Sequence, residues 1–178
     1  MALERGESAP AFRLRGIDNE FWILGEPDGR RCVLLAFFRR DVPSCRILLP
    51  FVERLHRRAH AHEVEILGIS LDDQRDTLEF AAGYSLTFPL LVEGKEGSTF
   101  GGYGVSEVPT LYLLGSDLKV RDLLVGWSKD GFERIARTFL ETSGAHGTGI
   151  WEPLDAPPVA AVGAPIGGVG GGEGTRRA

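Results

Sequence analysis

Apolar runs alternate with stretches of helical spacing along the first 142 residues, and this order predicts the elements. The runs 32–38 and 64–69 are typical of strands that are buried on both faces of a sheet. Apolar residues recur at helical spacing over 47–55 and again over 74–84. This order favours an α/β sheet whose first two strands are parallel neighbours joined by a right-handed crossover.

The segments after residue 86 predict an antiparallel addition to that sheet. Residues 88–92 fit a short strand or an extended loop, and 110–114 and 120–125 are strands whose separation is short enough for a hairpin. A closing helix over 130–141 follows, with Asp130 as its expected N-cap. The predicted architecture is a central mixed β-sheet flanked by helices.

Composition changes abruptly near Ser143. Residues 144–178 hold ten of the 24 glycines together with four prolines, so this stretch buries too little apolar surface to offset the entropy of ordering it. We therefore predict a folded domain over 1–143 and a disordered Gly/Pro/Ala-rich tail over 144–178, whose removal changes stability little. Ile150 and Trp151 form an apolar pair that either docks on the domain or stays exposed.

Charge and hydropathy exclude several classes of protein. A net charge of −5 and a pI near 5.4 argue against the basic surface that nucleic-acid binding requires. The sequence contains no apolar run of the roughly 18 residues that a membrane span needs. The polar N-terminus, with Glu4, Arg5 and Glu7, lacks the apolar core of a signal peptide, which favours the cytoplasm. Two cysteines in a chain of this length are expected as free or redox-active thiols.

The loop after the first apolar strand carries the candidate chemistry, because open α/β sheets place their sites beyond the carboxyl ends of the strands. Two aromatic residues at 37–38, then Val-Pro-Ser-Cys at 42–45 and Pro50, resemble the redoxin group of the thioredoxin superfamily. That group includes the TlpA-like proteins and borders the peroxiredoxins of the AhpC/TSA type. Its members carry Cys-Pro-x-Cys at the start of a helix and a proline five residues later.

Val108-Pro109-Thr110 is a second similarity, since it resembles a family segment whose proline is cis and faces the redox motif. The resemblance implies a thioredoxin-like fold over roughly residues 6–141 and a thiol-disulfide oxidoreductase-type function. It places Pro43, Ser44, Val108 and Pro109 around Cys45. The departure is at position 42, where valine stands in place of the first cysteine.

Val42 removes the nucleophile of a two-cysteine cycle. A cysteine at a helix N-terminus meets free N–H groups and the positive end of the dipole, which favour the thiolate, whereas valine has no thiol and is a poor cap. In the family the second cysteine is the shielded, resolving one. We therefore predict at most single-cysteine chemistry at Cys45, assisted by Arg39, Arg40 and Arg46. A buried structural thiol is the alternative.

Cys32 is not expected to replace the missing partner. It begins the strand that ends near Phe38, and six residues of strand span about 20 Å, whereas a disulfide needs Cα atoms within about 7 Å. Cys32 is therefore predicted to be a small buried hydrophobic residue.

Three functions follow from these observations. The first is a thioredoxin-like redoxin that acts on protein thiols or disulfides through Cys45. The second is a redox-inactive module that holds an extended peptide in the groove between residues 42–45 and 108–109, because backbone groups beside such a proline can pair with a strand. A peroxiredoxin-like antioxidant peroxidase ranks third. Val42 lacks the hydroxyl of the peroxidase motif, Pro109 stands where the family has its peroxide-site arginine, and Arg121 is a poor substitute.

Other candidate groups have simpler interpretations. His56, His60 and His62 lie among arginines, which oppose a cation, so they predict a solvated helix face and no metal site. The glycines at 101–102 and in the tail follow no strand-to-helix phosphate pattern, so no cofactor is predicted. Asp72 and Asp73, at a strand end near the motif, fit capture of a helix N-terminus better than acid/base chemistry.

Overall fold

A seven-stranded mixed sheet forms the centre of the computed structural model, which describes residues 1–59, 63–94, 97–145 and 149–167. Its strands are β1 (Phe12–Gly16), β2 (Phe21–Leu24), β3 (Cys32–Phe38), β4 (Val64–Ser70), β5 (Leu90–Val92), β7 (Thr110–Gly115) and β8 (Val120–Val125). Four further two-residue strands are β6 (Glu107–Val108), β9 (Trp127–Ser128), β10 (Ala160–Ala161) and β11 (Ala164–Pro165). The helices are α1 (Pro43–Arg58), α2 (Gln74–Tyr84), α3 (Ser98–Gly102) and α4 (Lys129–Thr142).

The order across the sheet is β2-β1-β5-β4-β3-β7-β8. β3 pairs in parallel with β4 and antiparallel with β7, which confirms both the βαβ start and the antiparallel addition. All seven residues of β3 are buried because the strand lies at the middle of the sheet with helices on its faces. The predicted α/β thioredoxin-like architecture is therefore confirmed, and 88–92 contributes the short strand β5.

The N-terminal hairpin of β1 and β2 extends the sheet beyond β5 and was not predicted. β1 alternates buried and exposed residues, with Phe12 and Leu14 facing the core. The alternation covers only five residues. A pattern this short is not enough to predict a strand within a polar N-terminal segment.

The closing helix starts one residue earlier than predicted, and its cap is Ser128 instead of Asp130. The Ser128 hydroxyl accepts a hydrogen bond from the amide of Gly131 at 3.2 Å, which satisfies one of the free N–H groups of the first turn. Asp130 lies inside that turn.

Residues 149–167, which we call the C-terminal strap, lie against the domain. The expected disorder of the tail is corrected for these residues, since Ile150 is 2% exposed and two strand pairings, β10 with β9 and β11 with β6, tie the segment down. Docking of Ile150 and Trp151 is thus the alternative that the structure shows. Residues 146–148 and 168–178 of the predicted tail lie outside the described residues, and the division of the chain at Ser143 stays a prediction.

Within the described residues, no helix has both the length and the apolar character to cross a membrane. His60 and His62 of the histidine run lie outside the described residues.

Candidate functional site

The motif loop and the segment around Pro109 meet at one end of the sheet. Phe37 of β3 is paired with Thr110 of β7, so the loop that leaves β3 and the residues that enter β7 are adjacent. Phe38 is likewise paired with Ser70, which brings the end of β4 to the same edge. The structure therefore brings the two predicted halves of the site together.

Val42 occupies the N-cap position of α1 and Pro43 is the first helical residue, as the motif predicts. The Val42 backbone is extended, with φ −86° and ψ 118°, and its carbonyl accepts hydrogen bonds from the amides of Cys45 at 3.0 Å and Arg46 at 3.3 Å. Its side chain offers no oxygen to the free amides of the first turn, and it is buried. The position that a nucleophile would take is thus filled by an inert, enclosed side chain.

Cys45 is fully buried in the first turn of α1. Burial raises the pKa of its thiol from 9.0 to about 12, because a thiolate loses its hydration there. A backbone hydrogen bond from Arg39 and the charge of Arg39 act in the opposite direction, while Asp72 and Asp41 add to the rise in pKa. At neutral pH Cys45 is therefore a protonated, enclosed thiol, which is the structural alternative that the sequence left open.

The three arginines of the loop are engaged with neighbouring groups. Arg39 forms an ion pair with Asp41 at 2.5 Å, and the Arg46 guanidinium donates to the carbonyl of Arg40 at 2.9 Å. Arg40 pairs with Asp76 at 3.1 Å on helix α2. Of the predicted assistance to Cys45, the structure supports that of Arg39.

Asp72 fastens the motif loop to the end of β4. Its carboxylate accepts the backbone N–H of Arg40 at 2.7 Å and lies 3.3 Å from the hydroxyl of Ser70. Burial raises the pKa of Asp72, against these hydrogen bonds. Asp73 caps helix α2 by accepting the amide of Asp76 at 2.8 Å. The capping interpretation is confirmed for Asp73, while Asp72 holds a loop amide.

Ser44 is the remaining residue of the motif. Its hydroxyl is buried, and it has no hydrogen-bond partner within the part of the chain that the structure describes. Burying a hydroxyl without a partner costs about 1–3 kcal/mol, so Ser44 does not strengthen this helix start.

The Val108–Pro109 peptide bond is cis, as predicted, and both residues are buried. The carbonyl of Pro109 accepts the amide of Gly126 at 2.8 Å, and the carbonyl of Glu107 accepts the hydroxyl of Thr110 at 2.7 Å. These bonds fix the backbone on either side of the proline.

The C-terminal strap pairs with this backbone. Ala164 lies opposite Val108 and Pro165 opposite Glu107 in an antiparallel register, and the amide of Ile166 donates to the carbonyl of Ser106 at 3.1 Å. The backbone at 106–108, on one side of the groove that the sequence assigned to an extended peptide, is therefore paired with an extended segment of the same chain.

The first part of the strap is anchored on α1 and α4. Arg54 donates to the carbonyl of Ile150 at 2.9 Å and forms an ion pair with Asp155. The Trp151 ring packs against Phe51 with a centroid separation of 5.1 Å, and the Trp127 indole donates to the carbonyl of Pro158 at 2.7 Å. Sequence reasoning missed Arg54, Asp155 and Trp127 as anchors, since the only signal was the apolar pair at 150–151.

Cys32 and Arg121 lie at the opposite end of the sheet. Cys32 is paired with Gly115, is buried, and has a thiol pKa raised by burial to about 12. Both cysteines are free thiols, in keeping with the prediction that they do not bridge. Arg121 forms an ion pair with Asp117 at 2.9 Å next to Gly115, far from the motif loop, so it supplies no cation to Cys45.

A mixed sheet with a helix starting at Val-Pro-Ser-Cys, opposite a cis proline, defines a thioredoxin-like redoxin of the thiol-disulfide oxidoreductase type. The chain belongs to the AhpC/TSA family, whose sequence pattern matches residues 5–123.

Relatives and solved structures place it within the same group. It is similar to the thioredoxin-like protein YneN from Bacillus subtilis, with 28% identity over 130 residues that cover 71% of this chain and 74% of the relative. The thiol-disulfide oxidoreductase ResA from Geobacillus thermodenitrificans is 27% identical over 126 residues, covering 70% and 71%. A crystal structure described as thiol:disulfide interchange protein DsbE from Chlorobium tepidum superimposes with a TM-score of 0.71 at 26% identity, covering 80% of this chain and all of the other.

Proposed function

We propose that this redoxin retains the peptide-holding half of a thiol-disulfide oxidoreductase site and has lost the catalytic half. The observation that carries the proposal is the antiparallel pairing of an extended segment with the backbone at Val108, beside a motif whose remaining thiol is fully buried. Protein segments in an extended conformation are the proposed partners, with or without a disulfide.

The lost half follows from the two positions of the motif. A thiol-disulfide exchange begins when a thiolate attacks one sulfur of a disulfide, forms a new S–S bond with it and releases the other sulfur as a thiolate. Val42 has no sulfur, and the raised pKa of Cys45 keeps that thiol protonated. Neither position supplies the attacking thiolate in this conformation.

The retained half follows from backbone geometry. Strand addition depends on main-chain donors and acceptors of the receiving edge, while side chains on alternate positions set selectivity. At Ser106–Val108 the main-chain groups pair with the strap in antiparallel register, so this edge accepts an extended chain.

Slow single-cysteine chemistry at Cys45 is a second candidate, and the backbone hydrogen bond from Arg39 favours it because that bond stabilises the thiolate. In such chemistry Cys45 forms a mixed disulfide, and an external thiol such as dithiothreitol must attack that bond to release Cys45, since the motif has no second thiol. It requires a conformation that exposes Cys45.

Reduction of insulin by dithiothreitol separates the two candidates. Wild type and Cys45→Ser are both expected to stay at the uncatalysed rate. In parallel, addition of a cysteine-free unstructured peptide at millimolar concentration is expected to shift the amide resonances of residues 106–108, 110 and 127–129. Turnover in wild type that disappears in Cys45→Ser would overturn the proposal in favour of single-cysteine catalysis.

A peroxidase function is not proposed, because Val42 lacks the hydroxyl of the peroxidase motif and Arg121 lies at the far end of the sheet. The cytoplasmic location stays a prediction of the sequence.

A further inference from the structure

The strap fits the edge at β6 too closely to admit a side chain at one position. A Cβ atom added at Gly163 would lie 2.7 Å from the carbonyl oxygen of Val108, which is backbone and has no freedom to move aside. The amide of Gly163 donates to the Glu107 carboxylate at 3.0 Å. Gly163 thus sits directly over the residue pair that precedes Pro109.

A second glycine, Gly126 in the domain, allows the strap backbone to approach closely. Gly126 has a φ of +73°, and a Cβ there would lie 3.3 Å from the carbonyl of Ala161 and the amide of Gly163. β9 continues the contact, since Ala160 is paired with Ser128 and the amide of Lys129 donates to the carbonyl of Val159 at 2.9 Å. Residues 159–166 therefore follow a continuous backbone track from β9 to β6.

We infer that residues 159–166 are a resident ligand of the peptide site, and that external ligands are extended segments of small, uncharged residues that displace them. This inference rests on the proposed function and names its ligand class. The resident segment has the sequence Val-Ala-Ala-Val-Gly-Ala-Pro-Ile and carries no charge. Two of its small residues, Gly163 and Ala164, lie against Glu107 and Val108.

Covalent attachment makes this segment a strong competitor. A tethered ligand experiences an effective concentration in the millimolar range, and the apparent affinity for an external ligand falls in proportion to the fraction of molecules whose site is open. Anchors at Ile150, Trp151 and Asp155 hold the start of the strap next to the track, so the open fraction is small.

The test compares three full-length proteins: wild type, Gly163→Val and Gly167→Val. Valine at 163 collides with the Val108 carbonyl and should release residues 159–166. Gly167 is a matched control on the same segment, because among the described residues no atom lies within 4 Å of a Cβ placed there. The probe is a fluorescent ten-residue peptide with the sequence of residues 158–167, whose binding is followed by anisotropy. Amide exchange at Lys129 and Ile166 reports whether the strap is docked.

The expected result is that the peptide binds Gly163→Val about tenfold or more tightly than it binds wild type or Gly167→Val, with loss of protection at Lys129 and Ile166 in Gly163→Val alone. Equal and tight binding by all three proteins would overturn the resident-ligand inference while leaving the peptide site standing. Release of the strap without any gain in binding would overturn the proposed function itself.

Retained protection at Ile166 in Gly163→Val would also overturn the inference, since the close fit on which it depends would then be wrong. Protection of the amides in β3 and β7 shows that the domain stays folded. Should Gly163→Val fail to fold, Ile166→Pro replaces it, because proline removes the donor to the Ser106 carbonyl.

Discussion

The motif loop of residues 37–46 and the edge of residues 106–110 lie at the ends of paired strands, yet they have kept different parts of a redox site. In the loop, the nucleophile position is a buried valine and the remaining thiol is fully enclosed. At the edge, the backbone beside the cis proline is intact and paired with the strap. The proposed function therefore separates the thiol chemistry of this fold from its peptide-holding geometry.

The difference has a simple physical origin. Thiol-disulfide exchange depends on single side chains, so one substitution at position 42 is enough to abolish the attacking group. Strand pairing depends on main-chain donors and acceptors, which every residue except proline carries in full, so it survives most changes of sequence as long as the backbone conformation is kept.

Alkylation of Cys45 should show the largest effect. With a pKa of about 12 instead of 9.0, the thiolate fraction at pH 8 is lower by about a thousandfold, and iodoacetamide should react that much more slowly than with the unfolded chain. The rate should keep rising about tenfold per pH unit above pH 9, since the thiol is still being deprotonated there. Mass spectrometry of Cys32→Ser isolates Cys45, and a rate that levels off near pH 9 would show that the thiol is not enclosed.

Val42→Cys should restore catalysis. Position 42 is the N-cap of α1, where a thiol meets the free amides of the first turn, and Cys45 lies three residues later on the same turn to resolve a mixed disulfide. We expect insulin reduction about a hundredfold above that of Val42→Ser, which has the same shape without the sulfur.

Position 42 is enclosed, since Val42 is 2% exposed. If the strap limits access of the substrate, adding Gly163→Val should further increase the insulin-reduction rate of Val42→Cys. Equal, background-level turnover in Val42→Cys and Val42→Ser, with both proteins folded, would mean that the loop has lost more than its cysteine.

Ile150→Ala tests whether the strap belongs to the folded domain. This side chain is 2% exposed, and its truncation should lower the free energy of unfolding by about 2–3 kcal/mol through lost burial and a residual cavity. Leu154→Ala is the matched control on the same segment, since Leu154 is 96% exposed and should change stability by less than about 0.5 kcal/mol. Indistinguishable melting curves for the two variants would restore the original expectation that residues after 143 contribute little.

The sequence predicted the bounds of β3, β8 and α2 correctly. The clearest of the three is β3, because its seven residues form an unbroken apolar run. The position of the site loop was predicted from the same run, because the loop must lie between the end of the buried strand β3 and the start of helix α1.

The strap escaped prediction because its contacts do not depend on a periodic pattern of side chains. Glycine, alanine and proline dominate 156–167, and most of their bonds to β6 and β9 are made by the backbone. The state of Cys45 was also beyond the sequence, because its pKa depends on the side chains that enclose it, and these come from elements distant along the chain.

Asp41→Asn in the Val42→Cys background should give the smallest effect and refines the account of the loop. An anion next to a thiol raises the thiol pKa, so neutralising Asp41 favours the thiolate. Asp41 is already paired with Arg39 at 2.5 Å and its side chain is 63% exposed, so its field at position 42 is partly cancelled and screened by water. We therefore expect the reductase rate of the double variant to exceed that of Val42→Cys by about threefold or less. The companion variant Arg39→Gln, which leaves Asp41 unpaired, should lower the rate, because it removes the cation while keeping the anion. If Asp41→Asn instead raises the rate as much as Val42→Cys itself does, the ion pair does not shield position 42, and the loss of catalysis in this loop involved both residues.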